Sequence, residues 1–259
     1  IIKNQVPQNH MSDYYSIPRK PDWNYGGKRW RLSRSKIDLF QQCPRCFYLD
    51  NKLGLKRPPG YPFSLNSAVD NLLKTEFDVH RANGEQHAIQ KQYGINAIPA
   101  VHESLGIWRE NFKGVECKHK LTGFVVSGAI DDLWLDPKTE EYIVVDYKAT
   151  AKAEAVTELD KDWQDGYKRQ MEVYQWLLRQ NGLKTSNTGY FVYCTGRPDE
   201  KAFDAKLEFD IHLIEYIGSD NWVEGTLKNI KKCLESDKIP KTDTDCDYCL
   251  YRKEIGEVE

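Results

Sequence analysis

The period of the apolar positions changes along the chain, and each change marks an element. Between Gly128 and Lys148 the residues read GAIDDLWLDPKTEEYIVVDYK, two runs rich in Val, Ile, Leu, Trp and Tyr interrupted at Asp136-Pro137. That is the composition of two strands joined by a turn. Pairing Asp136 with Glu141 across the loop Pro137–Glu140 makes a hairpin of common length. It sets Leu135 opposite Tyr142, Leu133 opposite Val144 and Asp131 opposite Asp146. Opposed residues share a sheet face, as do residues two apart on one strand. Asp131, Asp146 and Lys148 therefore gather on one side, while Asp132 and Tyr147 point to the other. A slip of one residue would part the two aspartates. Apolar residues occupy both faces, Leu133 and Val144 on one and Trp134, Ile143 and Val145 on the other, which predicts a hairpin covered on both sides.

Helical spacing appears elsewhere. Pro58-Pro59-Gly60 breaks the chain, and Val69, Leu72, Leu73 and Phe77 then form a stripe that predicts a helix over about Asn66 to Ala82. Ser35 is placed to cap a short helix leading into Cys43. A third helix is expected from Asp162 to Gln180, stopped at Asn181-Gly182, with Trp163, Tyr167, Gln170, Met171, Tyr174, Leu177 and Leu178 on one broad face. Strands are expected at Phe124–Gly128, Tyr190–Cys194 and Ala205–His212. A last helix after Ser219 turns Trp222, Leu227, Ile230, Cys233 and Leu234 inward. Residues 84–112 read as helix and loop, with Trp108 and Phe112 as core anchors.

Composition narrows the class. The chain has 259 residues, 29% of them charged, and a formal net charge of −2. There is enough chain for a substantial core, and no apolar run is long enough to span a membrane. Ile1–His10 lacks the hydrophobic stretch of a signal peptide, Met11 is a candidate start, and a cytoplasmic location is expected. Nucleic-acid binding would have to come from a local patch. One candidate is Lys28, Arg29, Trp30, Arg31, Arg34 and Lys36, five cations and a tryptophan within nine residues. Such interleaving suits a single strand, whose phosphates pair with cations and whose bases stack; a solvated arm is the plainer alternative. No Walker-type phosphate loop, internal repeat or catalytic histidine grouping is present.

Two opposed carboxylates repel unless a cation lies between them or one takes a proton. Mg²⁺ or Mn²⁺ suits Asp131 and Asp146, since a hard ion accepts a few carboxylate oxygens and keeps several waters. Such an ion polarises a phosphoryl oxygen and activates water, and Lys148 could orient that water or steady developing charge. The alternative is an ordinary hairpin with a solvated acidic face.

The seven cysteines divide. Cys117, Cys194 and Cys233 stand singly in apolar patterns, as buried small hydrophobes would. Cys43-Pro-Arg-Cys46 and Cys246-Asp-Tyr-Cys249 are a pair of C-x-x-C motifs, and four thiolates hold either Zn²⁺ or an iron–sulfur cluster.

Gly128-Ala-Ile-Asp131 with Val145-Asp146-Tyr147-Lys148, and Gln170-x-x-x-Tyr174 downstream, resemble the core of the RecB-type branch of the PD-(D/E)XK nucleases. Ser35 to Tyr48 resembles the opening segment of AddB-like and CRISPR-associated spacer-processing exonucleases. The resemblance touches roughly 33 to 252. It implies an α/β fold, a restriction-endonuclease-like core with a central mixed sheet flanked by helices and a helical insertion before the catalytic hairpin. It divides the chain into an irregular arm over 1–32 and one nuclease domain over 33–259. Within that domain lie a helical elaboration (about 33–112), a catalytic core (about 120–215) and a C-terminal helix with its cysteine pair (219–259). It implies metal-dependent hydrolysis of DNA, exonucleolytic and on single strands, in repair, recombination or CRISPR adaptation, with a helicase or adaptation protein as partner. Asp131 and Asp146 become metal ligands, the Tyr147 carbonyl a candidate further one, and Gln170 and Tyr174 position substrate or water. Asp70 stands where the family often has a histidine ligand, so it is either an extra ligand or a surface residue. In the family one N-terminal and three C-terminal cysteines hold a 4Fe–4S cluster. Here Cys43, Cys46, Cys246 and Cys249 divide two and two, and Zn²⁺ stays as the alternative. The competing functional reading is a non-catalytic module that holds nucleic acid or a partner on the same fold, and RNA remains open as substrate.

Overall fold

The computed structural model describes residues 19–60 and 64–258; the candidate start at Met11 and the first part of the arm lie outside them. In chain order the helices are α1 (Arg34–Gln42), α2 (Pro44–Asn51), α3 (Ser64–Asn83), α4 (Ala88–Gln92), α5 (Leu105–Trp108), α6 (Asp165–Gln180), α7 (Val223–Glu235) and α8 (Asp247–Val258). The strands are β1 (Leu32–Ser33), β2 (Ile98–Pro99), β3 (Val115–Lys118), β4 (Val125–Gly128), β5 (Asp132–Asp136), β6 (Glu141–Ala151), β7 (Thr188–Gly196) and β8 (Phe209–Ile217). None of these helices is long and apolar enough to cross a membrane.

The described residues form two compact units, one of residues 32–38 with 64–228 and one of 19–31 with 39–60 and 229–258. The first unit carries both sheets. One has the order β1-β4-β3, the other β2-β5-β6-β7-β8. β5 and β6 pair antiparallel in the expected register, Asp136 with Glu141 through Asp132 with Val145. β6 and β7 run parallel, joined through α6, and β8 returns antiparallel. The α/β class and the mixed sheet flanked by helices are as expected.

Both faces of the hairpin are covered, as its two-sided apolar pattern demands. Leu73 and Phe77 of α3 pack with Trp134, Ile143, Val145, Tyr147, Tyr190 and Val192 on one face. The Phe77 ring stacks on Trp134 at 5.5 Å. On the other face α6 reaches β6 through Gln170 on Asp146, and it also crosses β4, where a methyl group at Gly128 would stand 2.6 Å from Tyr174 Cε1. Glycine at that position is therefore what lets the helix seat its tyrosine over β4.

Several expectations fail for local reasons. Phe112 is 95% exposed, because α5 ends at Trp108 and a spacing of four no longer keeps residues on one face. Trp163 is 53% exposed, because Asp162–Gln164 forms a 3-10 turn ahead of α6 and is out of phase with it. Leu72 is 68% exposed on the flank of a stripe centred on Leu73 and Phe77. The strand expected from Ala205 begins at Phe209, since Asp204 and Ala205 take positive φ in a turn. Ser35 falls inside the first turn of α1 and shares a hydrogen bond with Ser33 at 2.9 Å. Cys194 is buried, whereas Cys117 and Cys233 are only half-buried.

The second unit holds α2, α8 and the ends of α1 and α7, has no strand among its described residues, and is tied by side chains. The Tyr48 hydroxyl and the Lys52 ammonium both donate to the Ser236 carbonyl, at 3.0 and 2.5 Å. Arg45 donates to the Pro240 carbonyl at 2.9 Å. The unit brings together helix starts that lie far apart in sequence.

Candidate active site and candidate metal centre

The hairpin brings Asp131 beside Asp146, and the site grows from that pair. The Tyr147 amide donates to Asp131 Oδ2 at 2.9 Å, fixing one carboxylate against the facing strand. Asp146 is fully buried. Its Oδ1 accepts from Gln170 Nε2 at 2.6 Å, and the Lys148 ammonium ion-pairs with its Oδ2. Gln170 Nε2 also reaches the Tyr174 hydroxyl at 3.1 Å, so the Q-x-x-x-Y pair, one helical turn apart on α6, is turned onto the aspartate. Burial, offset by Lys148 and reinforced by the charge of Asp131, raises the Asp146 carboxyl above its usual range. Burial also raises the Tyr174 hydroxyl.

Asp70 joins them from α3. Its Oδ2 accepts from Lys74 at 2.7 Å, and the same ammonium lies 3.5 Å from Asp131 Oδ1. Asp70 Oδ1 is buried with no hydrogen-bond partner among the described residues. Burial first and the charge of Asp131 next raise this carboxyl too, against the pull of Lys74 and Lys148. Three carboxylates, two of them repelled by the charge of Asp131 and one with a buried oxygen that accepts no hydrogen bond, are a donor set suited to a hard divalent cation. Asp70, Tyr147 and Lys148 line one cavity of about 90 Å³ with Asn66, Val69 and Tyr167.

Lys74 and Lys152 were not singled out from sequence, and Tyr167 and Trp163 were read only as part of a helix face. Lys74 is one turn beyond Asp70, a spacing that could have exposed it. Tyr167 lies under Lys148, whose ammonium stands 4.5 Å from the ring centre. Trp163 meets Tyr167 edge-on at 5.7 Å, with Lys152 5.0 Å over its ring. Two rings between two ammonium groups, Lys148, Tyr167, Trp163 and Lys152, thus lead away from the site. A second cavity, about 190 Å³, is lined by Arg34, Lys113, Ser33, Ser35, Ser127 and Tyr174, among others. The charge of Arg34 acts on both Asp146 and Tyr174.

The basic stretch is less uniform than its sequence. Lys28, Arg29 and Arg31 are exposed and Lys36 is half-buried. Trp30 uses its ring on Tyr25, edge-on at 5.2 Å, and its N–H on Asn51 at 3.1 Å. Arg29 lies 5.6 Å over the Trp23 ring.

Cys43, Cys46, Cys246 and Cys249 converge in the second unit, all buried, with their sulfurs within 4.8 Å of one another. Both C-x-x-C pairs are built alike. Cys43 caps α2 and accepts from the Cys46 amide at 3.4 Å. Cys246 precedes α8, and its carbonyl accepts from the Cys249 amide at 2.9 Å. Four thiolates at two helix starts can bind a soft metal.

A mixed sheet, an acidic hairpin and a lysine two residues past its second aspartate define the restriction-endonuclease-like class. The family model of the PD-(D/E)XK nuclease superfamily matches residues 31–253, and the chain belongs to that superfamily. Its members are in general nucleases, hydrolases that use divalent metals. No curated protein matches the chain.

Proposed function

We propose that the protein is a Mg²⁺- or Mn²⁺-dependent deoxyribonuclease that degrades single-stranded DNA from an end. The observation that carries the hydrolytic reading is the convergence of Asp70, Asp131, Asp146 and Lys148. The ion would be held by Asp131 and Asp146, with Asp70 Oδ1 and the Tyr147 carbonyl as further donors; when bound, it polarises the phosphate and activates water. Lys148 steers that water and offsets charge gathering on the phosphate. Gln170 and Tyr174 act as positioning residues, since both are buried, Gln170 holds the Asp146 carboxylate and Tyr174 accepts from the same Gln170 amide. The Arg34–Lys113 cavity supplies donors for a neighbouring phosphate of the substrate. The exonucleolytic part rests on the RecB-type resemblance.

Strandedness has its own support. An exposed Trp163 and the Tyr167 ring suit unstacked bases, which a duplex does not offer. Trp163→Ala is expected to weaken binding of an oligothymidine roughly five- to a hundredfold, the worth of about 1–3 kcal/mol per stacked base. Duplex binding should hardly change; equal loss on both substrates would refute the stacking role.

The test of the whole reading is degradation of end-labelled single-stranded DNA, duplex DNA and RNA of one sequence, with Mg²⁺, Mn²⁺ or a chelator, and Asp146→Ala as the blank. Metal-dependent shortening of single-stranded DNA, absent in the blank, is expected. Binding without cleavage under every condition would replace the nuclease with the non-catalytic module.

A further inference from the structure

We propose that the four cysteines hold a single tetrahedral Zn²⁺, and that the 4Fe–4S cluster implied by the family resemblance does not fit them. The inference stands apart from the hydrolytic reading, because it uses none of the hairpin residues.

The sulfur separations decide it. Cys43 Sγ lies 3.7 Å from Cys249 Sγ, and Cys46 Sγ lies 3.7 Å from Cys246 Sγ and 3.9 Å from Cys249 Sγ. No pair among the four exceeds 4.8 Å. Around one zinc, bonds of about 2.3 Å put the sulfurs at the corners of a tetrahedron with edges of about 3.8 Å. A cubane cluster gives each thiolate its own iron and splays the sulfurs to roughly 6 Å apart. A two-iron cluster likewise ties the cysteines two by two to separate irons and spreads the pairs. The observed grouping matches one ion at its centre and leaves no room for bridging sulfide.

The surroundings oppose widening the group. Each C-x-x-C turn is held by the helix it opens, through the Cys46 amide on Cys43 Sγ and the Cys249 and Leu250 amides on the Cys246 carbonyl. All four residues are at most 7% exposed, so spreading the sulfurs would displace two helix starts and their packing. A bound metal would find its charge answered. Four thiolates around a divalent ion leave two negative charges, as they do around an oxidised 4Fe–4S core, and Arg57 faces them. Its Nη2 donates to Cys246 Sγ at 3.3 Å, and its guanidinium lies over the Tyr248 ring at 4.5 Å. A single iron would share this geometry, but zinc binds such sites more tightly in the usual divalent order. The ion would join residues about 200 positions apart, a staple rather than a reaction centre.

The test is metal analysis of the full chain expressed with iron and zinc supplements and purified anaerobically, so that a cluster, if formed, survives. About one zinc per chain, a colourless solution and no acid-labile sulfide are expected. Replacement by Co²⁺ should give the visible bands of a tetrahedral thiolate site, a readout that does not need a cysteine variant to fold. In Cys46→Ser the zinc content should fall at least several-fold. Iron with sulfide in the anaerobic protein, iron alone, or no metal in a folded chain would each overturn the proposal.

Discussion

Replacing Lys148 by alanine should abolish cleavage while the fold and the cysteine-bound metal persist. The ammonium pairs with Asp146 Oδ2, approaches Gln170 Oε1 at 3.5 Å and stands over Tyr167. It stands two residues past the aspartate proposed as a metal ligand, where on that reading a water and a phosphate would meet. Losing a group that stabilises developing charge or moves a proton costs roughly 10²–10⁴ in rate. Stability should suffer much less. Without Lys148 the buried Asp146 keeps its bond from Gln170 and, already raised by burial, can take up a proton, so the cost is that of one partner lost, about 1–3 kcal/mol. The check is single-turnover cleavage beside a thermal melt and a metal assay on the same preparation. Cleavage at the parent rate would show that this hairpin face is not the catalytic centre.

What the sequence disclosed is what short-range periodicity can encode. Alternation over Asp132–Asp136 and Glu141–Val145, with a turn of defined length, was enough to place Leu133 against Val144 and Asp132 on the face away from Asp131 and Asp146. The C-x-x-C pairs were legible as one group because thiols at such spacing have few other uses. What stayed hidden depends on where distant elements come to rest. Nothing local to Lys74 says that α3 brings it within 3.5 Å of Asp131. Nor does Arg109, in an irregular stretch, announce that it reaches a buried aspartate on β5. Phe112 and Trp163 misled for the opposite reason: their spacing was helical but the backbone there was not. How closely the four sulfurs meet was hidden as well, since spacing constrains which cysteines meet but not their separation.

The adjacent aspartates of the hairpin should respond to mutation in opposite ways, and this tests the register itself. Asp132 faces away from the candidate active site and is fully buried. Its Oδ1 accepts from Arg109 Nη2 at 2.6 Å, from the Leu133 amide at 2.7 Å and from Arg81 Nη2, while its Oδ2 accepts the Tyr147 hydroxyl at 2.7 Å. Removing one partner of a buried ion pair leaves the other charge uncompensated, a loss of about 3–5 kcal/mol. Asp78 also pairs with both arginines and holds the figure toward the lower end. For a unit of this size Asp132→Ala should lower the melting temperature by roughly 6–15 °C, with Asp132→Asn milder because it keeps the shape and one acceptor. Asp131→Asn should do the reverse. It relieves repulsion that now raises both Asp70 and Asp146 and keeps an oxygen for the Tyr147 amide, so stability should stay within about 1 kcal/mol while metal-dependent cleavage is lost. The two faces exist only if the register is right, because period-two geometry forbids neighbours from sharing one. Thermal melts and metal titrations of the two variants, run side by side, read both predictions. If Asp131→Asn unfolds the protein and Asp132→Asn silences it without unfolding, the faces are exchanged and the site must be sought around Asp132, Arg81 and Arg109.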